Sequence, residues 1–184
     1  MFDEKLVTVL QNAFQNSINA LKKEHNENFY YFGFIFDEGM HPYISAWSYE
    51  AYEKSLKENE IDDADKDWWK WDYSDSPYVA YEHETYFAEA DEILNEIAAK
   101  LSEDELYDTE WYTIMESMEE ALSRLNKLNF FGTEEERKQV IINVEQVPPD
   151  ETSGERERAK RLNPQSSLLD EYLEMCEDDF EENE

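Results

Sequence analysis

Between Asp63 and Ser76 the chain reads DADKDWWKWDYSDS, a stretch that raises a metal-binding and a stacking chemistry at once. Asp63, Asp65 and Asp67 occupy the first, third and fifth positions of a calcium-binding loop. Such a loop needs glycine at its sixth position for a sharp turn and a bidentate glutamate at its twelfth. Here those positions hold Trp68 and Ser74. The pattern therefore fails as a dedicated calcium site and implies no more than weak condensation of cations on an acidic segment.

Three of the five tryptophans, Trp68, Trp69 and Trp71, fall within four positions of one another. Aromatic clusters stack nucleobases where a basic groove tracks the phosphates. The flanks here are Asp62, Asp63, Asp65, Asp67, Asp72 and Asp75, whose charge opposes a phosphate backbone. As an extended segment, DWWKWDY places Trp69, Trp71 and Tyr73 on one face and Trp68, Lys70 and Asp72 on the other. Two readings stand: a core strand with Trp68 at its edge, or rings left partly exposed inside an acidic rim, the composition of a protein-binding hot spot. On the second reading the candidate partner-binding residues are Asp62, Asp63, Asp65, Asp67, Trp68, Trp71, Asp72 and Asp75.

Elsewhere, catalytic motifs are missing. His83-Glu84 begins like a zinc-protease helix, but Phe87 stands where the second histidine belongs, so His83 reads as a helix-start residue. His25 and His41 fall at a helix end and in a turn, where exposure is usual. With only four glycines the chain has no nucleophile elbow and no phosphate-cradling loop. A carboxylate pair for acid/base work is not distinguishable among 47 acids. Cys176 is the single cysteine, and its neighbours Glu174, Glu177, Asp178 and Asp179 raise its pKa, which makes it a poor nucleophile. The expectation is a non-enzymatic protein with no cofactor and no bound metal.

The formal charge of -31 on 184 residues repels nucleic acid and anionic membrane and attracts basic partners. It also exceeds the magnitude of about 2 to 8 that solubility asks of a small domain. Glu58 to Glu120 alone carries 22 acids against three lysines, a net of -19, whereas Arg124 to Arg161 holds eight of the sixteen basic residues. Twelve Tyr, ten Phe and five Trp set the chain apart from disordered acidic sequences. The start, MFDEKLVTVLQNAF, lacks the form of a signal peptide, and the longest apolar run, Phe29 to Phe36, is too short to span a bilayer. A cytoplasmic location is the corresponding expectation.

The elements that must position these residues follow from periodicity. Leu6, Leu10, Phe14, Ile18 and Leu21 form one stripe of a helix over 3–24. FYYFGFIF, 29–36, reads as a strand covered on both faces; Gly39 turns the chain, and Pro42 to Trp47 returns as its hairpin partner. A short helix over 49–56 is followed, beyond the acidic segment, by a long one from His83 through Phe87, Ala90, Leu94, Ile97 and Leu101. Ser102 with Glu105 has capping-box spacing. A further helix from Thr109 carries Trp111, Met115, Met118, Leu122 and Leu125, and ends at Gly132. Thr133 and Glu136 form a second capping box before a strand over 139–147, in which Val140, Ile142 and Val144 alternate with Ile141, Asn143 and Glu145. Helices over 151–162 and 167–176 and a frayed acidic tail, 177–184, complete the chain. The predicted architecture is one α+β domain over 1–176, with a small, mainly antiparallel sheet of about four strands packed by helices.

The blocks FYYFGFIF, KWDYSDSPYVAYE and LNFFGTEEERKQVIINVEQV followed by AKRLNP also carry a resemblance. Together they resemble the bacterial family catalogued as domain of unknown function 4303, over about residues 5–175. The resemblance implies an α+β domain and brings no catalytic residues with it. Small acidic families of this kind are often encoded beside polymorphic toxins. By that analogy the expectation is an immunity or antitoxin protein that occludes a basic toxin domain, a nuclease for instance. The alternatives are a nucleic-acid mimic that blocks a DNA-binding protein, an enzyme with an unrecognised carboxylate site, and a domain whose charge merely solvates it.

Overall fold

A computed structural model of the chain describes residues 3–102, 105, 110–148 and 154–176. Helix α1, Glu4–Glu24, starts where the Asp3 carboxylate accepts the amides of Lys5 and Leu6, and its stripe Leu6, Leu10, Phe14, Ile18 and Leu21 is buried as the periodicity requires. Strands β1, Phe29–Asp37, and β2, Pro42–Ser48, form the expected hairpin. The left-handed residue of its turn is Met40 (φ 63°), not the glycine beside it. Ser48 then caps α2, Tyr49–Glu58. After it come α3, Lys66–Trp71, α4, His83–Tyr86, and α5, Ala88–Ala98. Beyond these lie α6, Trp111–Lys127, and α7, Glu134–Arg137, which the Thr133/Glu136 capping box opens. Strand β3, Ile141–Val147, and helices α8, Glu155–Leu162, and α9, Ser167–Met175, follow.

Three expectations are corrected. The sheet has three strands in the order β2-β1-β3, antiparallel between β1 and β2 but parallel between β1 and β3. It is therefore mixed, not a mainly antiparallel set of four. The missing strand is DWWKWDY, which is helical over Lys66–Trp71. Finally, the single helix expected from His83 is two, because Phe87 ends α4, opens α5 and buries its ring against Phe34, 6.0 Å between centroids. Thr109, the expected start of the 151–162 helix at 151–153 and the acidic tail lie outside the described residues, while the Ser102 and Glu105 side chains do bond as a capping pair.

Each edge of the sheet is closed without a further strand. Along β2, the Ala80 amide donates to the Ile44 carbonyl at 2.8 Å, and the Ser76 hydroxyl donates to the carbonyl of Ala46. Pro77 has no amide to offer and Ala80 is left-handed (φ 51°), so residues 72–80 cover that edge but cannot continue a ladder along it. At the outer edge of β3 the Asn163 side-chain amide stands in for a strand, accepting from the Ile142 amide at 2.9 Å and donating to its carbonyl at 2.8 Å. The buried Arg137 guanidinium holds Asn163 Oδ1 at 2.9 Å and the Leu162 carbonyl at 3.1 Å. Burial without a carboxylate pulls the Arg137 pKa down to about 10. The TEEER and AKRLNP blocks thus meet at one structural joint.

The two faces of the sheet differ chemically. Phe32, Phe34 and Phe36 of β1, with Ile142 and Val144 of β3, face α1 and α6; Phe14 reaches Phe34 at 4.9 Å and Trp111 reaches Phe36 at 4.5 Å between ring centroids. Tyr31, Ser45, Trp47, Asn143 and Glu145 occupy the other face, under α3, α8 and α9. A hydrophobic core thus lies on one side and a polar aromatic layer on the other.

An acidic, aromatic-walled cleft at the polar face

Helix α3 is held on this face by its own carbonyl groups. Those of Lys66 and Lys70 accept the hydroxyls of Tyr52 and Tyr30, at 3.1 and 2.6 Å, and those of Asp72 and Tyr73 accept the Trp47 indole N–H and the Ser45 hydroxyl, both at 2.7 Å. A short helix leaves its last carbonyls unpaired, and β1, β2 and α2 supply the donors. In exchange, Trp71 inserts edge-on between Tyr30 and Tyr172, at 5.4 and 5.1 Å. This packing decides for helix over strand.

Helical spacing brings Trp68 and Trp71, three residues apart, to the same cleft, where a strand would have separated them. The cleft encloses about 250 Å³. The two tryptophans and Tyr73 form one wall; Glu145 of β3, Glu155 of α8 and Tyr172 of α9 form the other, with Cys176 beside them. Trp71 is a 6% exposed part of the wall, whereas Trp68 is 54% exposed at the rim. Trp69 is half-buried and donates its indole N–H to Ser55 Oγ at 3.0 Å. Asp62, Asp63, Asp65, Asp67 and Asp75 are exposed around the same segment. Asp72 is half-buried and occupied locally, accepting the amide and the hydroxyl of Ser74 at 2.9 and 2.6 Å. Lys66 bonds Asp63 and holds its carboxyl below the usual range, while partial burial, with Asp72 nearby, raises Asp75.

Glu145 is the residue that sequence reasoning passed over. It is 2% exposed, and the only signal was a lone acid inside the strand IINVEQV. Tyr31 donates its hydroxyl to Glu145 Oε1. To reach it, the Tyr31 ring lies along the strand over Gly33, where a Cβ would overlap the Tyr31 hydroxyl. The Tyr172 hydroxyl stands 2.8 Å from Glu145 Oε1 and 2.8 Å from Glu155 Oε1, and accepts Asn143 Nδ2–H at 2.9 Å. One hydroxyl has one proton to give, so one of the two carboxyl groups must donate to it. Burial first, then the charge of Glu155, drives the Glu145 pKa well above the carboxylate range, which makes Glu145 the protonated member. The chain of donors therefore runs from Glu145 O–H to Tyr172 and from Tyr172 O–H to Glu155. Burial also raises Tyr31, Tyr172 and the Cys176 thiol, with Glu155 and Glu145 adding to the last, so this thiol is not a nucleophile at neutral pH. Among the described residues, the acids that raise it are these two, which β3 and α8 bring to it.

Lys70 shows in miniature what such a surface holds. Its ammonium pairs with Glu171 and lies 5.5 Å from the Tyr30 ring centroid and 5.1 Å from that of Trp71.

Fold and cleft together define a single α+β domain with a three-stranded mixed sheet, whose polar face carries an acidic cleft walled by aromatic rings. Residues 10–164 match the model of the family described as Domain of unknown function (DUF4303), and the chain belongs to that family. No curated protein and no solved structure matches it. Among the described residues no helix is long and apolar enough to cross a membrane.

Proposed function

We propose that this is a non-enzymatic acidic binding protein that occludes a basic protein domain, in the manner of an immunity protein acting on a bacterial toxin, and that the cleft receives one lysine or arginine side chain of that partner. The observation that carries the reading is Trp68, more than half exposed among Asp62, Asp63, Asp65 and Asp67 at the mouth of a cleft that contains Glu155. An exposed indole beside an acidic cleft is an anchor for a cation, and the surrounding aspartates steer its approach. The partner's basic surface would replace the counter-ions that this acidic surface now gathers.

The test is binding of the purified chain to the basic domain encoded beside it, followed as a function of salt. Association should slow by at least about tenfold as ionic strength rises from 0.01 to 0.15 M, because the screening length falls from about 30 to about 8 Å. Trp68→Ala should weaken the complex chiefly through faster dissociation. A complex indifferent to both would rule the reading out, and displacement of several unrelated DNA-binding proteins from DNA would favour a nucleic-acid mimic instead.

One observation favours a second reading. Glu145 and Glu155 share the Tyr172 hydroxyl in a cleft, and two carboxyl groups held together in a cleft are what a carboxylate-dependent hydrolase uses. Hydrolysis of glycosidic or phosphodiester substrates that Glu155→Gln abolishes would establish it.

A further inference from the structure

Away from the cleft, the fold gathers three residues that are far apart in sequence. His41 lies in the β1–β2 loop, His83 opens α4, and Asp91 sits in the first turn of α5. One ligand atom from each falls within 4.8 Å of the others. We propose that His41, His83 and Asp91 bind a divalent transition-metal ion, Zn²⁺, which clips the hairpin loop to the α4–α5 corner.

The distances fit. Zn–N and Zn–O bonds of about 2.1 Å set the edges of a tetrahedral site at about 3.4 Å. His83 Nε2 stands 3.4 Å from Asp91 Oδ2, and His41 Nδ1 stands 3.5 Å from Asp91 Oδ1. Each histidine is therefore already one tetrahedral edge from the carboxylate. These separations are also long for direct hydrogen bonds, and the shortfall is visible in the atoms themselves. His83 Nε2 and Asp91 Oδ1 are both sealed from solvent, and neither has a hydrogen-bond partner among the described residues. Two orphaned buried atoms in one His/His/Asp set, each with a lone pair to offer, are what a bound cation would satisfy.

The surroundings hold the ligands in place. The His83 ring stacks on Phe87 at 5.6 Å and 4°, and Phe87 is itself buried at the joint of the two helices. Beside the loop, a Cβ on Gly39 would come within 2.9 Å of the His41 ring, so glycine leaves the ring its room. The His41 side chain is 47% exposed and can swing to close the remaining edge. Two imidazoles and one carboxylate favour Zn²⁺ over Mg²⁺ or Ca²⁺, which prefer all-oxygen sets, and three protein ligands leave a fourth position for water or a partner's side chain. His83 lacks a second histidine on its own helix, so no local motif marks this site.

The experiment is calorimetric titration of the full chain with Zn²⁺ in excess Mg²⁺, which occupies the acidic surface. One Zn²⁺ per chain should bind. His41→Ala and Asp91→Asn should each lower the affinity at least about tenfold, since even outer-shell changes at metal sites cost about 10–100-fold. The triple variant Asp63→Asn/Asp65→Asn/Asp67→Asn should bind as the parent does. His41 is exposed on a loop, so its loss leaves the fold intact, as circular dichroism will verify. Co²⁺ in place of Zn²⁺ should give the intense visible absorption of a four-coordinate ion, and lose it in His41→Ala. Zn²⁺ binding that excess Mg²⁺ abolishes, that both single variants retain, or that the aspartate triple variant removes would overturn the site.

Discussion

If Glu145 is neutral in the folded protein, the substitution Glu145→Gln removes a titration at nearly unchanged side-chain shape. Tyr31 and Tyr172 both meet Glu145 at Oε1, so a glutamine keeps both contacts by placing its amide nitrogen there and donating one hydrogen to each hydroxyl, at a cost, the Tyr31 proton left without this acceptor, that does not vary with pH. Unfolded, Glu145 ionises near pH 4.3, whereas folded it holds its proton to well above that value because burial and Glu155 disfavour its charge. The native state then binds more protons than the unfolded state, so stability falls as pH rises. The contribution is fully present below the unfolded pKa and is lost on the way up to the folded one. While the folded carboxyl stays neutral, the loss is about 1.4 kcal/mol per pH unit. Glu145→Gln lacks this term. Its stability relative to the parent should therefore climb with that slope from pH 5 upwards, on top of that constant offset. Urea denaturation of both proteins at intervals between pH 5 and 8 measures the difference, and every other acid cancels because both share it. A variant that is less stable by a constant amount across this range would mean that Glu145 is ionised in the fold, and the assignment of the proton would be wrong.

Gly33→Ala should destabilise by about 1–3 kcal/mol, because its Cβ overlaps the Tyr31 hydroxyl. Denaturation should show part of that loss recovered in Gly33→Ala/Tyr31→Phe, where the closest atom is gone. Asn163→Ala strips the outer edge of β3 and leaves Arg137 short of an acceptor; a cost of about 2–4 kcal/mol in the same assay is expected. The two ends of the α3 face should separate cleanly. Trp71→Ala should lower stability by about 3–5 kcal/mol as a core truncation, and Trp68→Ala should change it by no more than about 0.5 kcal/mol while weakening partner binding.

Much of the architecture is carried by local patterns. The stripe from Leu6 to Leu21, the Thr133/Glu136 capping box and the β1–β2 hairpin form where periodicity, cap chemistry and turn residues point, because each is decided by groups within a few residues of one another. DWWKWDY could not be decided that way. Seven residues are too few for periodicity to separate helix from strand, and the deciding contacts come from Tyr30, Trp47, Tyr52 and Tyr172, up to about a hundred positions away in the chain. The same holds for the parallel pairing of β3 with β1, which depends on what packs between them.

Composition and charge alone determined an acidic, aromatic-rich chain, since those quantities do not depend on how the chain is arranged. Tertiary structure decided which acids matter. It left Asp63, Asp65 and Asp67 as a solvated rim, buried Glu145 against two tyrosines, and set His41 and His83 on either side of Asp91. A carboxylate's chemistry is fixed by its solvation and its neighbours, and only the folded chain supplies those.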